Sequence, residues 1–243
     1  MNKEHNVGIM KNDCDKYIEN YNYKKGVMGY ATSYCTDIFL RYMEGESVLE
    51  LGPAEGVMTE LLYPHFKDYT IVEGSEYFAQ ILKNNFPAVK VNQCMFEEYK
   101  PRRKFDNIIL GHVLEHVEYP VEILKLCKQW LTEDGVILSA VPNAHSLHRQ
   151  AAVEMGILET EGQLNQTDLG VGHKRVYNIE ELKRDFCDAG LSIDTLGGYW
   201  LKPLANKQIE SSWTEDMIQA FMKLGERYPD IAGEIYIIAK NGE

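Results

Sequence analysis

The sequence predicts an α/β fold built on a mostly parallel sheet with helices on both faces. Short apolar, β-branched runs alternate with helical periodicity along most of the chain. The run Ile108-Ile109-Leu110 is continuously apolar, as a strand covered on both faces must be. A glycine-rich turn, Gly52-Pro53-Ala54-Glu55-Gly56, follows the first clear strand. Open parallel sheets carry their ligand loops at such turns.

The elements follow in order. Residues 13–44 read as helical and rich in tyrosine, within a helical N-terminal cap over 1–44. Ser47–Leu51 (SVLEL) is the first strand, with a helix at about 57–63 after the turn. Tyr69–Glu73 is the second strand, and Ser75 caps a helix over 75–85. Val89–Val91 and Phe105–Leu110 are the third and fourth strands. Pro120 opens a helix to 131. Asp134-Gly135 turns the chain into a fifth strand, Val136–Val141, which Pro142 ends. The rhythm breaks over 143–177, an expected insertion after strand five covering the strand ends, with a helix-like stretch at 149–158. A helix over 178–189 starts at Asn178 and stops at Ala189-Gly190. Leu191–Leu196 and Glu234–Lys240 close the sheet, with a helix at roughly 214–225 between them.

The 243 residues fit one domain. Apolar residues at 44% and charged residues at 26% are those of a globular protein, which excludes disorder and fibrous repeats. Asp and Glu outnumber Lys and Arg by 37 to 25, for a net charge of −12, which disfavours nucleic acid as a partner. No apolar run approaches the ~18 residues of a membrane span, and the N-terminus has no apolar signal region. Five scattered cysteines without a CxxC read as free thiols. These features together predict a cytoplasmic protein without a membrane partner. A homodimer is left open.

The turn after the first strand has the spacing G-x-x-x-G and lacks the G-x-G-x-x-G of dinucleotide binders. Glu50 places a carboxylate at the strand end, which repels a pyrophosphate and attracts a cation. Glu73 ends the second strand 21 residues beyond Gly52. An acid there can accept hydrogen bonds from a ribose diol. The set asks for a nucleoside with a positive centre and no phosphate, and S-adenosylmethionine is such a molecule.

The segments VLELGPAEG, IVEGS, FDNIILGHVLEHVEYP and DGVILSAVPN resemble the successive motifs of class I S-adenosylmethionine-dependent methyltransferases. They are most similar to the small-molecule branch that includes the ubiquinone-pathway O-methyltransferases. The stretch from Pro142 to Leu191 resembles bacterial methyltransferases of natural-product and surface-polysaccharide pathways. The resemblance implies a Rossmann-like seven-stranded sheet with an antiparallel last strand. It implies that Glu50, Gly52, Pro53 and Gly56 surround the methionine part of the cofactor, that Glu73 holds the ribose, and that Gly74 lets the chain pass the nucleoside. Met95 and Phe96 stand where the family contacts adenine, with Cys94 or Met95 replacing its usual acid. Gly111 and His112 would lie beside the sulfonium. Asp106 is expected to serve the sheet.

His112-Val-Leu-Glu115-His116 matches the H-x-x-E-H of inverted zinc proteases, but it straddles a strand end rather than lying on a helix. The expectation is that no metal is bound. The alternative is an ion on His112, Glu115, His116 and His173, since some relatives hold one with an acid-x-x-Glu-His motif and a later histidine. Two basic clusters, His145/His148/Arg149 and His173/Lys174/Arg175, stand out in an acidic chain. His148, Arg149, Lys174 and Arg175 are the expected binders of a small anionic acceptor. His116, His145 and His173 are unranked candidates for a general base. Tyr17, Tyr21, Tyr30 and Trp200 form either a lid or core, and core is expected. The reaction expected is O-methylation, ahead of N-methylation, in small-molecule biosynthesis. The alternatives are a methyltransferase acting on RNA or protein and a non-catalytic cofactor-binding subunit.

Overall fold

A computed structural model describes residues 26–242. The expectations for residues 1–25, including Cys14 and the tyrosines at 17, 21 and 23, lie outside the described residues. The sheet has seven strands in the order β3-β2-β1-β4-β5-β7-β6. These are β1 (Ser47–Leu51), β2 (Asp68–Glu73), β3 (Lys90–Gln93), β4 (Phe105–Gly111), β5 (Leu131–Pro142), β6 (Leu191–Tyr199) and β7 (Glu234–Asn241). β1 pairs in parallel with both β2 and β4, so the strand order reverses beside it. β7 runs antiparallel between β5 and β6. The expected sheet and its antiparallel last strand are therefore present.

The helices are α1 (Gly26–Leu40), α2 (Val57–Leu62), α3 (Glu76–Asn85), α4 (Pro120–Trp130), α5 (Leu147–Glu154), α6 (Gln166–Gly170), α7 (Ile179–Asp188), α8 (Asn206–Ser212) and α9 (Glu215–Gly225). Alternate residues of the strands feed opposite faces. Val48, Ile71, Ile109 and Leu138 join Ile38 and Phe39 of α1 on one face. Leu49, Val72, Ile108 and Ile137 join Leu124 of α4 and Phe186 of α7 on the other. Trp200 is buried in the first of these cores, and Tyr30 packs against it half-buried, so both are core residues.

Three boundaries differ from the sequence reading. β5 begins at Leu131, which pairs with Phe105, and the register then shifts so that Asn107 faces Val136. The Asp134-Gly135 turn is thus absorbed as an irregularity inside the strand. The helix expected at 149–158 ends at Glu154, and Gly156 turns the chain at φ 69°. β6 continues to Tyr199, and α8 has no counterpart in the sequence reading.

Asp106 ties β4 to the entry of β1. Its Oδ2 accepts hydrogen bonds from the backbone N–H groups of Glu46 and Ser47, both at 3.0 Å, and from Ser47 Oγ at 2.8 Å. Asn107 beside it accepts from Glu44 N and donates to Ser47 O. The hydrogen bonds to Asp106 outweigh its burial and hold its carboxyl below the usual range. Asp106→Ala should lower stability by about 1 kcal/mol, because three exposed to half-buried donors lose their acceptor. Denaturant unfolding checks this. The folded pKa is depressed, so the contribution is present at neutral pH and fades as pH falls through the folded value.

Candidate active site

The turn after β1 is built from left-handed backbone. Gly52, Ala54 and Gly56 lie at φ 60°, 49° and 76°. A Cβ on Gly56 would stand 2.8 Å from both Leu82 and Phe86, so only glycine lets α2 start there. Gly56 turns its missing side chain toward the core and is not part of the cavity wall. Its expected place in the turn is therefore a backbone one.

The turn opens one side of a cavity of about 400 Å³ at the carboxyl ends of the strands, next to the reversal in strand order. Glu50, Gly52 and Pro53 line it from β1 and its turn. Glu73 and Gly74 line it from β2, Met95 and Phe96 from the segment after β3, and Gly111 and His112 from β4. Thr32 of α1 borders it too. The expected cofactor residues other than Gly56 thus line one cavity.

Glu50 is buried, and its Oε2 accepts hydrogen bonds from Thr59 Oγ1 at 2.5 Å and Tyr69 OH at 2.9 Å. Burial raises its pKa to about 7 against the pull of those two donors, with Glu73 adding to the rise. Glu73 accepts from Ala54 N at 3.2 Å through Oε2 and from Ser75 N at 2.8 Å through Oε1. It is therefore a strut between the glycine turn and the start of α3 as well as a wall residue.

The same cavity is lined by three histidines, His112, His116 and His173. His112 lies at φ 57°, a strained backbone for a non-glycine residue. Its Nε2 is 3.2 Å from Tyr199 OH, and its Nδ1 is 3.4 Å from Glu115 Oε1 and 3.8 Å from Glu234 Oε2. Burial opposes its charge, but the two carboxylates prevail and lift its pKa to about 8. Burial drives His116 the other way, down to about 4. His116 meets His173 edge to face with ring centres 4.7 Å apart, and both line the cavity.

Glu115, His116 and His173 each present a donor atom, all within 4.8 Å of one another. Neither buried oxygen of Glu115 accepts a hydrogen bond among the described residues. A carboxylate and two imidazoles form a donor set suited to zinc or a similar transition ion. His112 stands outside this group, paired instead with Glu115, Glu234 and Tyr199. Of the four residues considered for an ion, the fold gathers three.

The insertion divides the expected acceptor residues. His173 and Lys174 line the cavity, together with Leu169 and Gly172. Lys174 Nζ pairs with Glu118 at 3.0 Å. Arg149 is buried away from the cavity wall. Its Nη1 meets Asp168 at 3.0 Å, its Nε donates to Glu161 O at 2.7 Å, and its Nη2 donates to Gln163 O. Arg175 also lies off the wall and donates to Leu114 O at 3.0 Å, Val117 O at 2.6 Å and Glu118 O at 3.1 Å. The two guanidiniums brace the insertion and the loop after β4. His145 is exposed, 3.5 Å from Glu161, and lies off the wall. His148 is off the wall as well, and burial with Lys202 and Arg149 nearby pushes its pKa down to about 3.

Sequence reasoning missed Asp168, Tyr199, Lys202 and Glu234. Glu234 carried a readable signal. It opens the antiparallel strand β7, so it lies at the same end of the sheet as Glu50 and Glu73. Lys202 has its pKa lowered to about 8 by burial, which outweighs the pull of Glu234 and Asp168.

The comparisons with known proteins agree with this geometry. A family described as a methyltransferase domain matches residues 28–196. A ubiquinone biosynthesis O-methyltransferase of Coxiella burnetii is 29% identical over 106 residues, covering 42% of this chain and 45% of that protein. The match therefore spans less than half the length of that curated relative. A crystal structure of an S-adenosylmethionine-dependent methyltransferase from Mesorhizobium loti superimposes with a TM-score of 0.64 at 16% identity, over 89% of this chain and all of that one, 100%. The plantazolicin methyltransferase BpumL, solved with a triazolic desmethyl analogue and S-adenosylhomocysteine, gives a TM-score of 0.59 at 12% identity, over 99% of this chain and 91% of that one.

The raised pKa of Glu50 yields a test. Its ionised form attracts a cationic ligand, so S-adenosylmethionine should bind more weakly as pH falls from about 8 to about 6. Glu50→Gln should weaken binding about tenfold at the higher pH and flatten that dependence. Calorimetric titration over the pH range checks both.

Proposed function

The chain belongs to the methyltransferase domain family, whose class I, S-adenosylmethionine-dependent fold it carries, and on that premise we propose that it transfers the methyl group of S-adenosylmethionine to an oxygen of a small, anionic acceptor. The observation that carries this reading is one cavity lined by two chemically different groups of residues. Glu50 and Glu73 suit a cationic nucleoside, with Met95 and Phe96 available to its adenine. His112, His116 and His173 suit an acceptor oxygen.

When bound, S-adenosylmethionine supplies an already activated methyl group, so alignment and exclusion of water are the main tasks left to the protein. Good alignment contributes ~7–11 kcal/mol. Gly111 leaves room beside the sulfur, where a Cβ would touch Met58 at 3.0 Å. His112, near its cationic form at neutral pH, and Lys174 are the positive groups that face an anionic acceptor. This assignment replaces Arg149 and Arg175, whose guanidiniums already brace the insertion and the loop after β4. His173 is the best-placed base for an acceptor hydroxyl, because it lines the cavity and has a carboxylate behind it. His116 is neutral at pH 7 and supports it edge-on. The segment 143–177 then covers the acceptor within a single methyltransferase domain, and a role in cytoplasmic biosynthesis fits the acidic chain.

A second reading has its own observation. The oxygens of buried Glu115 accept no hydrogen bond among the described residues and meet only the His112 ion pair, and with His116 and His173 close by they fit a divalent ion that orients the acceptor. Zinc or manganese added to the metal-free protein should then bind tightly, and Glu115→Gln should abolish that binding. Heat of binding near zero would dismiss the ion.

Methyl-labelled S-adenosylmethionine incubated with the protein and a metabolite extract of the cells that make it tests the main reading. Label in the small anionic fraction is expected, with a loss of about 100-fold or more in His173→Gln. Label in RNA or protein would move the assignment to a macromolecular acceptor. Binding of S-adenosylmethionine without transfer to any fraction would favour a non-catalytic subunit.

A further inference from the structure

Asp168 is nearly buried at 8% exposure, on α6, where sequence reasoning assigned it no chemistry. Four groups converge on its carboxylate and backbone. Oδ2 receives Arg149 Nη1 at 3.0 Å and the Asn165 N–H at 2.9 Å. Oδ1 faces His173 Nδ1 at 3.5 Å. The Asp168 carbonyl accepts the His173 N–H at 2.9 Å. Asn165 caps α6, its Oδ1 accepting the backbone N–H groups of Thr167 and Asp168, so the carboxylate is fixed from both sides. Arg149 is held in turn by the carbonyl oxygens of Glu161 and Gln163.

His173 stands at the inner end of this chain. Its Nδ1 is buried and has no other partner among the described residues, while the residue lines the cavity. We infer that Asp168 is a positioning residue for methyl transfer: braced by Arg149, it keeps the proton of His173 on Nδ1 and leaves the Nε2 lone pair for the cavity. This inference rests on the proposed methyl-transfer site, and within that site it is indifferent to whether Nε2 takes a proton from the acceptor or holds an ion. Either role needs the same tautomer. The arrangement also gives Arg149 a function through two intermediaries.

Long-range ¹H–¹⁵N spectra of the histidine rings, recorded on the wild type with S-adenosylhomocysteine bound, read the tautomer directly. His173, assigned by its absence in His173→Gln, should show a protonated Nδ1 and an unprotonated Nε2. The opposite tautomer would overturn the inference even if Asp168→Asn failed to fold. Asp168→Asn should give a mixed or reversed tautomer. It should also lower label transfer from methyl-labelled S-adenosylmethionine by about 10- to 100-fold, with S-adenosylhomocysteine affinity within about twofold of wild type. Asp168→Asn with unchanged transfer, alongside an impaired His173→Gln, would overturn the positioning role and leave the site reading intact. Unchanged transfer in both variants would remove His173 from the proposed chemistry as well.

Discussion

The chain leaves β1 through three left-handed residues within five positions, at Gly52, Ala54 and Gly56. That backbone path is the constraint on which the binding face depends. Gly56 must lack a side chain for α2 to pack against Leu82 and Phe86. Ala54 accepts a strained conformation, and its N–H is held by Glu73 across the strand gap. One consequence is that two carboxylates, Glu50 and Glu73, converge on a cavity rather than on water. Glu50 is tied to Thr59 of α2 and Tyr69 of β2, and Glu73 to Ala54 of the turn and to Ser75 at the start of α3. The charge that we propose welcomes a cationic nucleoside is therefore also a joint of the scaffold.

The placement of the histidines depends on contacts between residues far apart in the chain. His112 leaves β4 at positive φ and is caught between Tyr199 of β6 and Glu234 of β7. The antiparallel β6–β7 pair thus closes the sheet and also reaches back to the site. Arg175 holds the loop after β4 by three carbonyl oxygens, which places Glu115 and His116 opposite His173. The basic residues of the insertion act largely on the protein itself. Their charge is used to shape the chamber, and only His173 and Lys174 reach its wall.

Much of this was legible in the sequence where the signal is local. The positions of the central strands, the cap at Ser75, the stop at Pro142 and the acids near the ends of β1 and β2 each follow from short-range patterns. The histidines were recognisable as a group, but their ranking was not. Burial decides that His116 is neutral, and a second carboxylate decides that His112 is charged; neither is encoded near those residues. Arg149 shows the same limit most sharply. An arginine in a basic cluster suggests an anion, and only the fold reveals that Asp168, 19 residues away, already supplies it. The 8-residue α5 stopped early because Gly156 lies in a conformation that L side chains avoid, a feature that composition does not reveal.

A crystal structure of the protein with S-adenosylhomocysteine tests the central claim most directly, namely that this cavity is where methyl transfer occurs. The account predicts the ribose hydroxyls on Glu73, the adenine between Met95 and Phe96, and the sulfur beside Gly111, facing His173 across open space. A nucleoside bound elsewhere, or one in the cavity with its sulfur turned away from the histidines, would contradict it.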